Sequence, residues 1–216
     1  FDAIILDTVA GPDGADYFKQ LKLMASGGKK TAVISIERDL TAYGIDSVEA
    51  DNYNGARAAT RHLIECGCRN LLHITGPQNF WAAENRVRGF QDALAAGRAQ
   101  GQIVCGDFSP QSGYDAVMRA VKGRLVFDGV FAANDQMAVG ALNALRDAGV
   151  RVPDDVRVIG FDDSFVASLV SPALSSIHVP AELIGRYAME LALSRIEDFS
   201  QPARLRSVAA ELVVRG

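Results

Sequence analysis

The sequence predicts an α/β protein with mostly parallel sheets, and three observations carry that expectation. Short apolar runs alternate with segments of i, i+3, i+4 apolar spacing along nearly all of the 216 residues. Repeated strand–helix alternation of this kind builds parallel sheets, because each crossover helix returns the chain to the same end of the sheet. Glycine and proline fall between the runs, where elements should end or begin. Polar residues, often in pairs, come directly after the apolar runs.

In chain order the strands are expected at 3–6, 31–36, 47–50, 70–75, 102–105, 129–132, 156–161, 174–179 and 207–214. Each is short and apolar, as a strand buried on both faces should be. Helical spacing appears between most of them. Ala56, Ala59, Leu63 and Ile64 make one apolar stripe, and Ala138, Ala141, Leu142 and Leu145 another. Gly67 and Gly149 stand where helix C-caps are expected, and Pro153 and Pro180 mark entries to new elements. No low-complexity tract, short-period repeat or Pro/Ser-rich linker divides the chain.

The totals exclude several classes. Lys and Arg number 22 against 26 Asp and Glu, a net charge of −4, with no basic cluster to follow a phosphate backbone. No apolar run approaches the roughly 20 residues of a membrane span. Cys66, Cys68 and Cys105 have neither an even count nor a C-x-x-C spacing, so they read as reduced thiols of a cytoplasmic protein. No P-loop, zinc-protease helix or nucleophile elbow occurs. His62, His73 and His178 fall in a helix and two strands, far apart in sequence, and read as core or surface residues. No catalytic set, metal site or cofactor is expected.

The residues at the strand ends are more informative. Ile36 is followed by Glu37-Arg38, Ala50 by Asp51-Asn52, Ala133 by Asn134-Asp135 and Phe161 by Asp162-Asp163. After Cys105 come Gly106, Asp107 and Phe108. After Thr75 come Gly76-Pro77, then Phe80, Trp81 and Arg86. In a parallel sheet the strand C-termini share one edge, and ligands bind there. Helix capping explains some of these residues, Asp135 and Asp163 first among them. It does not predict polar pairs at several strand ends, an arginine, and aromatic rings at Phe80, Trp81 and Phe108. That combination suits a polyhydroxylated ligand: carboxylates and amides match adjacent hydroxyls, arginine donates to oxygen, and a ring covers the apolar face of a sugar. Phosphate or nucleobase ligands remain open, since Arg86 and helix N-termini also attract anions.

Most of these residues lie in stretches that resemble the lactose/galactose-repressor (LacI/GalR) family: "DSVEADNYNGARAATRHLIECGCRNLLHITGP", "AAENRVRGFQDAL", "GDFSPQSGYDA", "FDGVFAANDQMAVGALNALRDAGVRVPDDVRVIGFDDS" and "SPALSSIHVPAELIGRYAMELAL". They cover nearly the whole chain in the family's order. The resemblance implies two Rossmann-like lobes with parallel sheets, of the periplasmic-binding-protein-like type I, joined by three crossings with a ligand cleft between them. Residues 1–50 and 180–203 would form one lobe, incomplete here, and 51–178 and 204–216 the other. It implies effector contacts from Arg86, Asn134 and Asp162, an aromatic wall from Phe108, and contributions from Glu37 and from Asp51 at the first crossing. It implies a homodimer, a small effector of sugar type, and operator DNA read by an N-terminal helix-turn-helix. That helix-turn-helix, a hinge helix and a first βαβα of about 60 residues would precede the 216 residues. One departure stands out: the family often has Gln before the proline of the last crossing, where this chain has Val179 in "IHVPAE". Two other functions remain in play, a periplasmic sugar receptor of the same general fold and an α/β enzyme using Asp162 and Glu37.

Overall fold

The computed structural model describes residues 1–7, 14–26 and 30–215. In chain order the elements are β1 (Ala3–Asp7), α1 (Gly14–Ser26), β2 (Ala32–Ile36), a 3-10 turn (Thr41–Tyr43), β3 (Asp46–Ala50), α2 (Asn52–Glu65), β4 (Asn70–Thr75), α3 (Trp81–Gly97), β5 (Gln100–Cys105), α4 (Pro110–Lys122), β6 (Gly129–Ala132), α5 (Asp135–Asp147), β7 (Arg157–Asp162), α6 (Phe165–Leu169), β8 (Ser175–His178), α7 (Ala181–Glu197), β9 (Leu205–Val208) and β10 (Glu211–Val213).

They divide into two compact units. The first comprises Phe1–Asp51, Asn79–Ala82 and Pro180–Ala209, and the second Asn52–Gln78, Ala83–Val179 and Ala210–Gly216. These bounds differ from the expected lobes at Asp51, which falls in the first unit, and in two longer segments. Residues 204–209 go with the first unit, because β9 pairs in parallel with β3, Ser47 opposite Leu205 through Ala50 opposite Val208. Residues 79–82, with Phe80 and Trp81, also go there, although α3 continues into the second unit. The single strand expected at 207–214 is two strands in two sheets. Only β9 joins the first, and β10 runs antiparallel to β8 in the second.

The first unit has one sheet in the order β1-β2-β3-β9. Ala32, Val33 and Ile34 are buried in β2, and Phe18 and Leu21 of α1 pack with Leu40 and Ile45. On α7, Ile184, Ala188, Leu191, Ala192 and Arg195 are buried, a helical stripe. Arg195 does not violate the stripe. Its Nε and Nη2 each lie 2.8 Å from Asp46 Oδ2, and Arg204 donates its backbone N–H to Asp46 Oδ1 at 2.8 Å. Asp46 thereby ties α7 and the entry to β9 to the start of β3.

The second unit has a six-stranded sheet ordered β10-β8-β7-β6-β4-β5, with helices on both faces. The period-two geometry of a strand divides its residues between them. Leu72, Ile74, Val130 and Ala132 face Val117 of α4 and Met137, Ala141 and Leu145 of α5. Leu71, Phe131, Ile159, Phe161 and Ile177 face Ala56, Ala59 and Leu63 of α2 and Phe90 of α3. Both faces being covered explains why these strands read as continuous apolar runs. Helices α4 and α5 lie unusually close. A Cβ at Gly140 would collide with the Pro110 carbonyl, and one at Gly113 with the backbone of Met137.

Candidate ligand-binding site

In the second unit β5, β4, β6 and β7 are adjacent and parallel, so their C-termini form one rim. Phe108 follows β5, Gly76 follows β4, Asn134 follows β6, and Asp162 closes β7. Arg86 reaches this rim from α3. Its side chain is 7% exposed, and every part of it is held. Nε donates to Asn52 Oδ1 at 2.8 Å, Nη1 donates to the Ala133 carbonyl, and Nη2 lies 3.5 Å from Asp162 Oδ1. The guanidinium carbon stands 3.7 Å from the centre of the Phe161 ring. A cation placed so is preorganised: its desolvation is already offset by neutral acceptors and a π-face. The Asp162 side chain remains 44% exposed beside it.

Asn134 is buried and is the N-cap of α5. Its Oδ1 accepts the Met137 N–H at 2.9 Å, and its Nδ2 donates to the Phe108 carbonyl at 3.0 Å. The amide therefore caps one helix and ties down the neighbouring loop at once. One lone pair and one N–H remain for a ligand. Phe108 itself has φ of 68°, and its ring lies over Gly76, where any Cβ would strike it.

The second member of each polar pair is a brace. Asp135 Oδ1 accepts from Ser176 Oγ at 2.6 Å, and Oδ2 accepts from Ser164 N and Oγ at 2.6 and 2.9 Å. Burial raises its carboxyl above the usual range, and the serine hydrogen bonds partly offset that. Asp163 forms an ion pair with Arg215, Oδ1 to Nη2 at 2.6 Å, and its Oδ2 lies 3.1 Å from His178 Nδ1. Neither is the cap the sequence suggests. Asn134 caps α5, and Ser164 occupies the cap position of α6. Asp135 and Asp163 instead tie the ends of β6, β7 and β8 together, which fixes Asn134 and Asp162 on the rim.

The first unit has its own strand-end rim. Glu37 follows β2 with φ of 60°, and its Oε1 accepts the Ala50 N–H at 3.4 Å. Asp51 follows β3 and donates its N–H to the Val208 carbonyl at 2.8 Å. Phe80, half-buried, precedes α3. Trp81 opens α3, and its Nε1 donates to Glu49 Oε2 at 2.7 Å. Burial first, then the charges of Asp39, Glu37 and Asp51, push the Glu49 carboxyl up, against the indole hydrogen bond. Arg38 donates to the Asn79 carbonyl at 2.9 Å.

Backbone strain concentrates on both rims. Among the described residues, seven non-glycine positions have left-handed φ. Arg98 and Arg124 follow helices, where that conformation is routine. The other five, Glu37, Asn79, Phe108, Asp162 and Asp163, lie in the segments that end β2, β4, β5 and β7. Such strain persists at ligand sites because the surrounding contacts over-determine it.

The histidines make no constellation. His73 is fully buried in β4, with Nδ1 2.9 Å from the Phe131 carbonyl, and burial lowers its pKa to about 4. Cys66, Cys68 and Cys105 are free thiols, and burial raises Cys68 to about 11. Among the described residues no cluster could hold a metal ion, and no helix is long and apolar enough to cross a membrane.

A family model described as a periplasmic binding protein-like domain matches residues 60–216, most of the chain. The chain belongs to that family. Within the periplasmic binding protein-like domains, its relatives are LacI-type regulators, as the sequence stretches indicate. The HTH-type transcriptional regulator CelR of Thermobifida fusca is 41% identical over 165 residues, 74% of this chain and 48% of that protein. A solved structure of a CelR–cellobiose complex has a TM-score of 0.87 at 33% identity, over 99% of this chain and 65% of that one. A LacI-family regulator from Enterococcus faecalis V583 with bound ribose gives 0.86 at 25% identity, over 100% of this chain and 76% of that one. The chain spans about half the length of the curated relatives it matches.

Two residues of the rims were missed by sequence reasoning. Asn52 sits beside Asp51 in a polar pair that drew notice only for its first member. Glu49 lies inside β3, where alternation alone would turn a carboxylate to solvent.

Proposed function

We propose that this periplasmic binding protein-like domain senses an effector for a bacterial transcriptional regulator, and that the effector is a sugar or sugar derivative. The observation that carries the reading is Arg86: a buried, fully held guanidinium beside the half-exposed Asp162 carboxylate. Such a pair presents a donor and an acceptor to neighbouring hydroxyls, and Phe108 adds an aromatic wall. The relatives support it, since CelR is seen with cellobiose and the E. faecalis regulator with ribose. Glu37, Asp51, Phe80 and Trp81 supply the corresponding polar and aromatic groups on the first unit's rim. The curated relatives are named as transcriptional regulators, which favours binding as the reading.

The regulator works in the cytoplasm and reads operator DNA through a helix-turn-helix outside these 216 residues. It pairs with a second copy of itself. Exposed apolar surface on α6, Phe165 at 77% and Leu169 at 64%, supports that pairing. Switching requires that the effector bind two arrangements of the protein with different affinity.

Calorimetric titration with cellobiose, ribose and hypoxanthine tests the reading. A saccharide should bind, and Asp162→Asn should weaken it by about 1–3 kcal/mol, a lost set of desolvated hydrogen bonds, with a smaller change in thermal stability. Unchanged saccharide affinity in that variant, or binding of hypoxanthine alone, overturns it.

A further inference from the structure

Trp81 is the sole tryptophan of the sequence, and it is not simply packed. Its indole N–H is held by Glu49, 32 positions earlier, at 2.7 Å. The bond spans from α3 to β3, and both residues are half-buried in the first unit. A carboxylate inside a parallel strand is costly unless it has a task. Here it sits with Glu37, Asp39 and Asp51 close enough to oppose its ionisation, so its position is maintained against electrostatic pressure. Arg38, between Glu37 and Asp39 in the sequence, donates to the Asn79 carbonyl and lies 5.4 Å from the Phe18 ring.

We propose that Glu49 is a positioning residue that fixes the Trp81 ring as the platform for an uncharged saccharide. This rests on the effector-sensing reading above and names the ligand class it selects. A sugar ring offers an axial C–H face that an indole covers. An indole already held in one rotamer loses less freedom when the sugar arrives. The carboxylates around the platform repel a phosphate or carboxylate substituent at short range.

The experiment uses the full 216-residue chain, in which tryptophan emission reports Trp81 alone. Glu49→Ala and Glu49→Gln are compared with the parent by acrylamide quenching and by calorimetric titration with cellobiose and with glucose 6-phosphate. Glu49→Ala should red-shift the emission, increase quenching and weaken cellobiose about tenfold. Glu49→Gln keeps an acceptor oxygen and should restore both the parent emission and the parent affinity, which a merely structural contact would not separate from thermal stability. Glucose 6-phosphate should bind no variant more tightly than cellobiose does. If cellobiose binds the parent, Gln and Ala proteins alike, or emission is unchanged in Glu49→Ala, the positioning role is overturned while effector sensing stands. Tighter binding of glucose 6-phosphate also overturns it. If neither sugar nor ribose binds the parent, the effector-sensing reading fails and the platform's role fails with it.

Discussion

Asn134 uses both ends of its amide inside the fold, so its two contacts can be separated by substitution. Asn134→Ala removes the cap of α5 and should cost about 0.5–2 kcal/mol of stability, measured by urea unfolding. Asn134→Asp keeps a capping oxygen but sets a carboxylate against the Phe108 carbonyl. It should unfold nearly as the parent does, yet bind effector more weakly because the Phe108 loop is released. Equal losses of stability in both variants would show that the cap is not what matters. His73 makes a prediction of a different kind. Its ring stacks 4.5 Å from Phe131, and in the tautomer that donates from Nδ1 its Nε2 meets no partner. Folding therefore opposes its protonation, holding the pKa near 4 against 6.5 for an ordinary histidine. Between those pH values the unfolded chain binds the extra proton, so stability should fall as pH drops through this window, by up to about 3 kcal/mol. In a His73→Gln variant this part of the pH slope should vanish. An unchanged slope would assign it to other groups.

Helices α4 and α5 meet through Gly113 and Gly140, and their backbones touch where side chains would ordinarily stand. Alanine at either position would gain up to about 1 kcal/mol in helix propensity. It would also force two backbones apart, and overpacking of this kind costs about 1–3 kcal/mol. Gly140→Ala should thus destabilise the protein despite its better propensity, with a lower urea midpoint as the readout; a higher midpoint would mean the helices can separate freely. The strand expected at 207–214 teaches the converse. Its alternation is continuous enough to read as one strand, yet Leu205–Val208 and Glu211–Val213 belong to different sheets. Periodicity reports that a residue is half-buried, and says nothing of which sheet buries it.

At the scale of the molecule, the two units rest on separate cores, and the first is the smaller. Its polar keystone is Asp46, with no exposed side-chain surface and two arginines upon it. Removing one partner of a buried pair leaves the other charge uncompensated, so Asp46→Ala should cost about 3–5 kcal/mol. The loss should fall on the first unit, splitting the thermal transition while hydrogen exchange in β4, β6 and β7 stays slow. A single shifted transition would mean the units unfold as one. The proposed pairing of two copies has its own check: Phe165→Asp should shift sedimentation toward monomer, and an unchanged species would remove α6 from that interface.

From the sequence alone came the class of fold, the order of nearly every element, the strand ends that carry Phe108, Asn134 and Asp162, and Arg86 on the helix that follows β4. Those features are local: apolar period, glycine and proline punctuation, and polar residues at a strand's end are written in neighbouring positions. Family stretches added the type of domain. Tertiary structure alone settled the partners of each polar residue. Asp135 and Asp163 read as caps because a cap is a local motif, and they are braces because Ser176 and Arg215, 41 and 52 positions onward, come to them. Glu49 carries no local signal of its role, and it holds Trp81 because α3 begins beside β3 in the first unit. A hydrogen bond depends on distance in space, and no pattern along the chain encodes which remote partner will be brought within 3 Å.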